Sequence, residues 1–301
     1  MRVFAMILAA AAASTLNWTT PAHCAASPAK GAAEERLPHI SVQSKGTGTA
    51  VVMIPGLSTP RAVWDGIAPE LARNHRVLLV QVNGFAGDDP GANLQPGVLD
   101  GIAADLSGYL TSHHIDRARL IGHSMGGLVA IKFAKAHPEQ VDRVMVVDAL
   151  PFFSVLMDPN ATVEAVKPTA EMMRTKIAAT YGKPADPATI EANVKSLALK
   201  PESIARMKQW AAAADPRVTS AALYEDLTTD LRPELSALTT PVIVIVPWST
   251  QGFGEDATLA FYKRQYAAAP NVSFVGVGDA GHFVMLDQPQ AFARAVDAFV
   301  K

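Results

Sequence analysis

Ser124 stands between two glycines in Gly122-His123-Ser124-Met125-Gly126, and His282 follows Gly281 far downstream. A serine hydroxyl is a poor nucleophile until a base takes its proton. The G-x-S-x-G spacing is a weak signal alone. Here an apolar run ending "ARLI" precedes it and the helical pattern "GLVAIKFAKA" follows, which predicts a sharp strand-to-helix turn. Such a turn holds its serine in a strained backbone conformation and brings the two glycines together, so a Cβ on Gly122 or Gly126 would clash. It also aims the next backbone N–H, that of Met125, at the oxygen on which negative charge develops during acyl transfer. A second donor is expected from Pro55-Gly56-Leu57, after the first buried apolar run. Gly56 lets the backbone turn there, so that the N–H of Leu57 points into the site.

The order of parts in this kind of site is serine, acid, histidine. His282, in "GDAGHFVMLDQP", follows the last strand-like run and is the expected base. His75, His113, His114 and His137 sit at helix ends or before a strand, where they read as capping or surface residues, and His39 lies in the first strand-like stretch. His123 lies inside the serine turn and is expected to shape the site. The acid must accept a hydrogen bond from the histidine and stabilise the imidazolium. Asp256 is the favoured candidate, after the strand-like "VIVIVPW", with Glu255 beside it. Both precede a helical pattern, where carboxylates also serve as N-terminal helix charges. Asp148, after "RVMVV", is the alternative acid. Asp279 and Asp287 stand too close to His282 in sequence to be favoured.

Elements able to position these groups are legible along the chain. "TAVVMIPG", "HRVLLVQVNG", "ARLIGHS", "VDRVMVVDA", "TPVIVIVPW" and "NVSFVGVGDAGH" are short, β-branched and apolar on both sides. That suits strands of a buried parallel sheet. Helical patterns alternate with them, notably "VLDGIAADLSGYLTSHH", "DATLAFYKRQYAAA" and "PQAFARAVDAFVK". The expected fold class is therefore α/β, a mostly parallel central sheet covered by helices on both faces. Residues from about 152 to 235 break the alternation with helical stretches only, and read as a cap over the strand ends.

The chain has 301 residues, 49% hydrophobic and 18% charged, with a formal net charge of -2. It can bury one sizeable core, and it has no basic run to suggest nucleic acid as a partner. Arg2 followed by an apolar run and a small-residue stretch has the layout of an export signal over residues 1–26. The expected location is then periplasmic or extracellular. A polar linker over 27–38 is expected next, and residues 39–301 form the catalytic domain. Cys24 is the only cysteine, so the processed chain would carry no disulfide. No other stretch reads as a membrane span. No Cys pair or H-E-x-x-H points to a metal, and no G-x-G-x-x-G follows a strand, so no cofactor is expected.

Together "PGLS", "GHSMGG" and "GHFVMLDQPQAF" resemble the α/β-hydrolase superfamily, in its small capped esterase-like members, over nearly all of the chain after the signal. The resemblance implies Ser124 as nucleophile, His282 as base, and Leu57 with Met125 as oxyanion donors. Two places depart from the usual pattern. Pro55 replaces the histidine common before the oxyanion-loop glycine, and "WSTQGFGED" follows the strand where an early Asp is common. A serine rather than an aspartate nucleophile implies acyl transfer to water, with a small to medium apolar ester as substrate. Cleavage of amides, lactones, peracids or β-diketones on the same groups is the alternative within enzymes. A secreted binding protein that kept the fold and lost turnover is the alternative outside them.

Overall fold

The computed structural model describes residues 34–301. The expected export signal therefore lies outside the described residues. Eight strands form one sheet: β1 (Glu34–Arg36), β2 (Ile40–Lys45), β3 (Ala50–Ile54), β4 (Arg76–Val82), β5 (Ala118–His123), β6 (Val141–Val147), β7 (Val242–Trp248) and β8 (Val272–Gly278). Their spatial order is β1-β2-β4-β3-β5-β6-β7-β8. From β4 to β8 every pairing is parallel, while β2 pairs antiparallel with both β1 and β4. The edge strand β1 falls within 27–38, so part of the stretch read as a linker is sheet. Its register is Glu34 on Gln43, Glu35 on Val42 and Arg36 on Ser41.

The helices are α1 (Ala68–Leu71), α2 (Val98–Ser112), α3 (Met125–Ala136), α4 (Val163–Ala178), α5 (Pro187–Val194), α6 (Pro201–Ala213), α7 (Pro216–Thr228), α8 (Gly254–Gln265), α9 (Val284–Asp287) and α10 (Pro289–Phe299). Successive side chains of a strand point to opposite faces. Val52, Ile54, Leu78 and Val80 therefore join the core under α2, α3 and α8. Val51, Met53, Val77 and Leu79 join the core under α1, α9 and α10. Phe292, Val296 and Phe299 recur at helical spacing along α10 and are buried, with Phe292 stacked on Trp64 at a centroid separation of 6.1 Å. Each such side chain contributes about 1.5–3 kcal/mol by leaving water.

Helices α4 to α7 lie between β6 and β7 in sequence, at the place expected for the cap. Ala170, Met173, Leu223 and Leu227 form a small core of their own between α4 and α7. Asp215 caps α7 by accepting from Arg217 N, and Pro216 opens the helix at a position that needs no N–H acceptor. No helix among the described residues is long and apolar enough to cross a membrane.

Candidate active site

Ser124 joins β5 to α3 with φ 54° and ψ -125°, a conformation that side-chain-bearing residues rarely adopt. The surroundings hold it there. Ser124 N donates to Val147 O at 3.0 Å, and Ser124 O accepts from Gly127 N at 2.7 Å. A Cβ on Gly122 would lie 2.2 Å from Gly126 O, and one on Gly126 would lie 2.4 Å from Ile54 O. Neither position admits a side chain without moving backbone. Met125 opens α3, where its N–H has no partner within the helix.

The loop after β3 comes against this turn. A Cβ on Gly56 would stand 3.0 Å from both Ser124 Cβ and His123 Nδ1, so the Pro55-Gly56-Leu57 backbone passes directly beside the serine. Thr59 N donates to Gly56 O and Thr59 Oγ1 to Leu57 O, at 3.2 and 3.0 Å, which fixes the turn. Leu57 packs against both the main core and the cap core. Ser58 Oγ meets Thr219 Oγ1 of α7 at 2.8 Å, tying the loop to the cap.

His282 lies in the loop between β8 and α9, and its Nδ1 meets Asp148 Oδ2 at 2.6 Å. The carboxylate at the imidazole is therefore that of Asp148, at the end of β6. Asp256 and Glu255 are exposed in the first turn of α8. There they complement the positive end of the helix, and neither bonds to His282 among the described residues. The geometric reason lies beyond β7. Ala280 N donates to Trp248 O at 3.2 Å, so the histidine loop runs back over the end of β7 towards β6. Asp148 has φ 47°, and its N–H donates to Ile245 O at 3.0 Å, which turns the chain sharply as it leaves β6.

Further contacts between segments far apart in the chain complete the site. The Tyr262 hydroxyl of α8 donates to Asp148 Oδ1, leaving Oδ2 to His282. Burial, then the nearby Asp148 charge, holds the Tyr262 phenol well above its ordinary pKa, so it stays a donor. One turn on, the Tyr266 hydroxyl donates to Ala149 O at 2.9 Å. His123 is 0% exposed, and its Nε2 donates to His282 O at 3.0 Å, with the two rings 4.5 Å apart. Burial, then the positive charge that His282 can carry, lowers the His123 pKa well below its usual value, so that ring is a neutral prop. The buried Asp287 accepts from Gly281 N, Leu199 N and Lys200 N at 2.9, 2.9 and 3.3 Å. It fastens the histidine loop to the cap.

A small cavity between the strand ends and the cap, about the size of one water molecule, is lined by Ser124, Asp148, Leu128, Leu150, Phe153 and Asp226, among others. Its floor is mostly apolar. Among the described residues no cluster of three His, Cys, Asp or Glu side chains could hold a metal ion.

Comparison with known proteins bears on the fold and the family. The chain is 28% identical to a pimeloyl-[acyl-carrier protein] methyl ester esterase of Aeromonas hydrophila over 87% of its own length and 99% of the relative's. It is similar in structure to a thermophilic esterase from Thermogutta terrifontis, with a TM-score of 0.72, 22% identity, and 90% and 98% of the two chains covered. An enol-lactonase from Burkholderia xenovorans LB400 gives a TM-score of 0.70 at 20% identity, over 87% of this chain and 96% of that one. At these identities the two structures attest to the fold. The model of the alpha/beta hydrolase family matches residues 51–295, from β3 into α10. With four-fifths of the sequence inside that match, the chain belongs to the alpha/beta hydrolase family.

Proposed function

We propose that the protein is a serine ester hydrolase. Ser124 Oγ attacks the ester carbonyl, and His282 takes the serine proton and later passes it to the leaving alcohol. Asp148 holds the imidazole by its Nδ1 and stabilises the imidazolium that forms. The N–H groups of Leu57 and Met125 receive the oxyanion. Water then releases the acyl group from Ser124 by the same steps in reverse order. The observation that carries this reading is the 2.6 Å contact of His282 Nδ1 with Asp148 Oδ2, beside a serine held at φ 54°. The ester specificity named for the Aeromonas relative supports an ester substrate. Leu128, Leu150 and Phe153, which line the cavity beside Ser124, support an apolar acyl or alcohol part.

The test is hydrolysis of p-nitrophenyl esters from acetate to decanoate by the protein and by Ser124→Ala. Turnover by the wild type alone is the expected result, together with labelling of Ser124 by a fluorophosphonate. Labelling without ester turnover would move the substrate to another acyl class. Absence of both would overturn the reading. The basic and apolar make-up of residues 1–26 supports export, which N-terminal sequencing of the protein recovered from cells would check.

A further inference from the structure

Asp226 of α7 is 5% exposed, lines the same cavity as Ser124, and makes no hydrogen bond or ion pair among the described residues. A buried carboxyl without a partner is costly, and an apolar residue of similar size would fill the place at lower cost. The position is held firmly on both sides. The neighbouring Glu225 points elsewhere and accepts from Gly97 N, Val98 N and Leu99 N at 2.7, 3.0 and 2.9 Å, capping α2. Leu227 O accepts from Ser154 Oγ at 2.7 Å. With both neighbours tied, Asp226 cannot swing out to water without unfastening the cap.

No lysine or arginine pairs with it, and the charged group that bears on it is His282, when protonated. Burial pushes its pKa up to about 7, so near neutrality much of it carries a proton. A neutral carboxyl can both donate and accept a hydrogen bond. Besides Asp226 the cavity is lined by Ser124 and Asp148, which the proposed reaction already engages, and by Met125, Leu128, Ala149, Leu150 and Phe153, whose side chains offer no hydrogen bond to a polar substituent.

We propose that Asp226 determines substrate specificity by hydrogen-bonding a hydroxyl or oxo oxygen close to the scissile carbonyl, so that the preferred substrates are hydroxy- or oxo-substituted esters. The proposal rests on the ester-hydrolase reading above. It assigns Asp226 a part in binding and none in the bond-breaking steps.

The experiment compares kcat/KM for ethyl 3-hydroxybutanoate with that for its methyl isostere, ethyl 3-methylbutanoate, in the wild type, Asp226→Asn and Asp226→Leu. Ethyl 3-oxobutanoate and ethyl 3-aminobutanoate complete the set. A buried polar group left unpaired by the wrong substrate discriminates by roughly ten- to a hundredfold. The wild type is expected to favour the hydroxy and oxo esters by that factor. Asp226→Asn, which still donates and accepts, is expected to keep most of the preference. Asp226→Leu is expected to abolish or invert it while still hydrolysing the methyl isostere. A flat ratio in the wild type, or an unchanged one in Asp226→Leu, would overturn the proposal and leave the esterase reading intact. A preference for the amino ester would overturn it in favour of an ammonium partner. Inactivity on every ester, with Ser124 unlabelled by a fluorophosphonate, would overturn the esterase reading and this proposal with it.

Discussion

Tyr262 donates its hydroxyl to one oxygen of Asp148 while His282 Nδ1 meets the other, so both carboxylate oxygens are occupied. An acid held at both ends cannot rotate away from the imidazole. Tyr262→Phe removes one hydrogen bond to a charged acceptor, and that group then carries its desolvation unrelieved. We expect kcat/KM to fall about tenfold with the fold unchanged. Ester kinetics beside circular dichroism would check this, and an unaltered rate would remove Tyr262 from the positioning of Asp148.

The two candidate acids separate cleanly. Asp148→Asn keeps the shape but favours the wrong imidazole tautomer, and kcat should drop on the order of 10⁴-fold. Asp256→Asn changes an exposed side chain at the start of α8 and should leave kcat unchanged. The opposite pattern would return the role to Asp256.

Gly122→Ala places a methyl carbon 2.2 Å from a backbone oxygen that has nowhere to move. The expected destabilisation is about 3 kcal/mol, with the serine turn displaced. Thermal unfolding and fluorophosphonate labelling would register the two effects separately. A stable, fully labelled variant would contradict the crowding described here.

Asp226 makes stability depend on pH in a defined direction. Its pKa rises from 3.8 in the unfolded chain to about 7 in the native one. Between those values the native state binds a proton that the unfolded state has lost, so stability falls as pH rises through this window. Above it the loss is complete and amounts to no more than about 4 kcal/mol. Asp226→Asn, which cannot ionise, should match the wild type near pH 4 and exceed it in melting temperature at pH 8. Equal melting curves at both pH values would show that Asp226 is charged in the folded protein at no cost.

Asp287 gathers three backbone N–H groups from the histidine loop and the cap. Asp287→Ala leaves these donors without their acceptor and should cost about 2–4 kcal/mol. Limited proteolysis should then cut near Leu199 and Gly281, and protection equal to the wild type there would refute the fastening role.

The sequence by itself determined the local parts of this molecule. Runs apolar on both sides marked β3 to β7 as buried strands and the helical patterns between them pointed to parallel pairing, whereas β8, read in the same way, is an edge strand that alternates half-buried and exposed residues. Gly122 and Gly126 flank a serine at a strand-to-helix junction because no side chain fits there, so Ser124 was legible without coordinates. The cap was legible as an interval without strands. Which acid meets His282 was decided only by tertiary structure. The strand preceding His282 lies beside β7, which made the end of β7 the natural place to look. The loop carrying His282 instead crosses that end and reaches β6, where a sharp turn presents Asp148. Strand order and loop path arise from contacts between segments far apart in the chain, and no local pattern records them. His123 was legible as part of the serine turn, its partner His282 O was not, and Tyr262, Asp287 and Asp226 were hidden for the same reason. In sequence each is an ordinary helix or loop residue, and its role comes from the partner, or the empty space, that folding places opposite it.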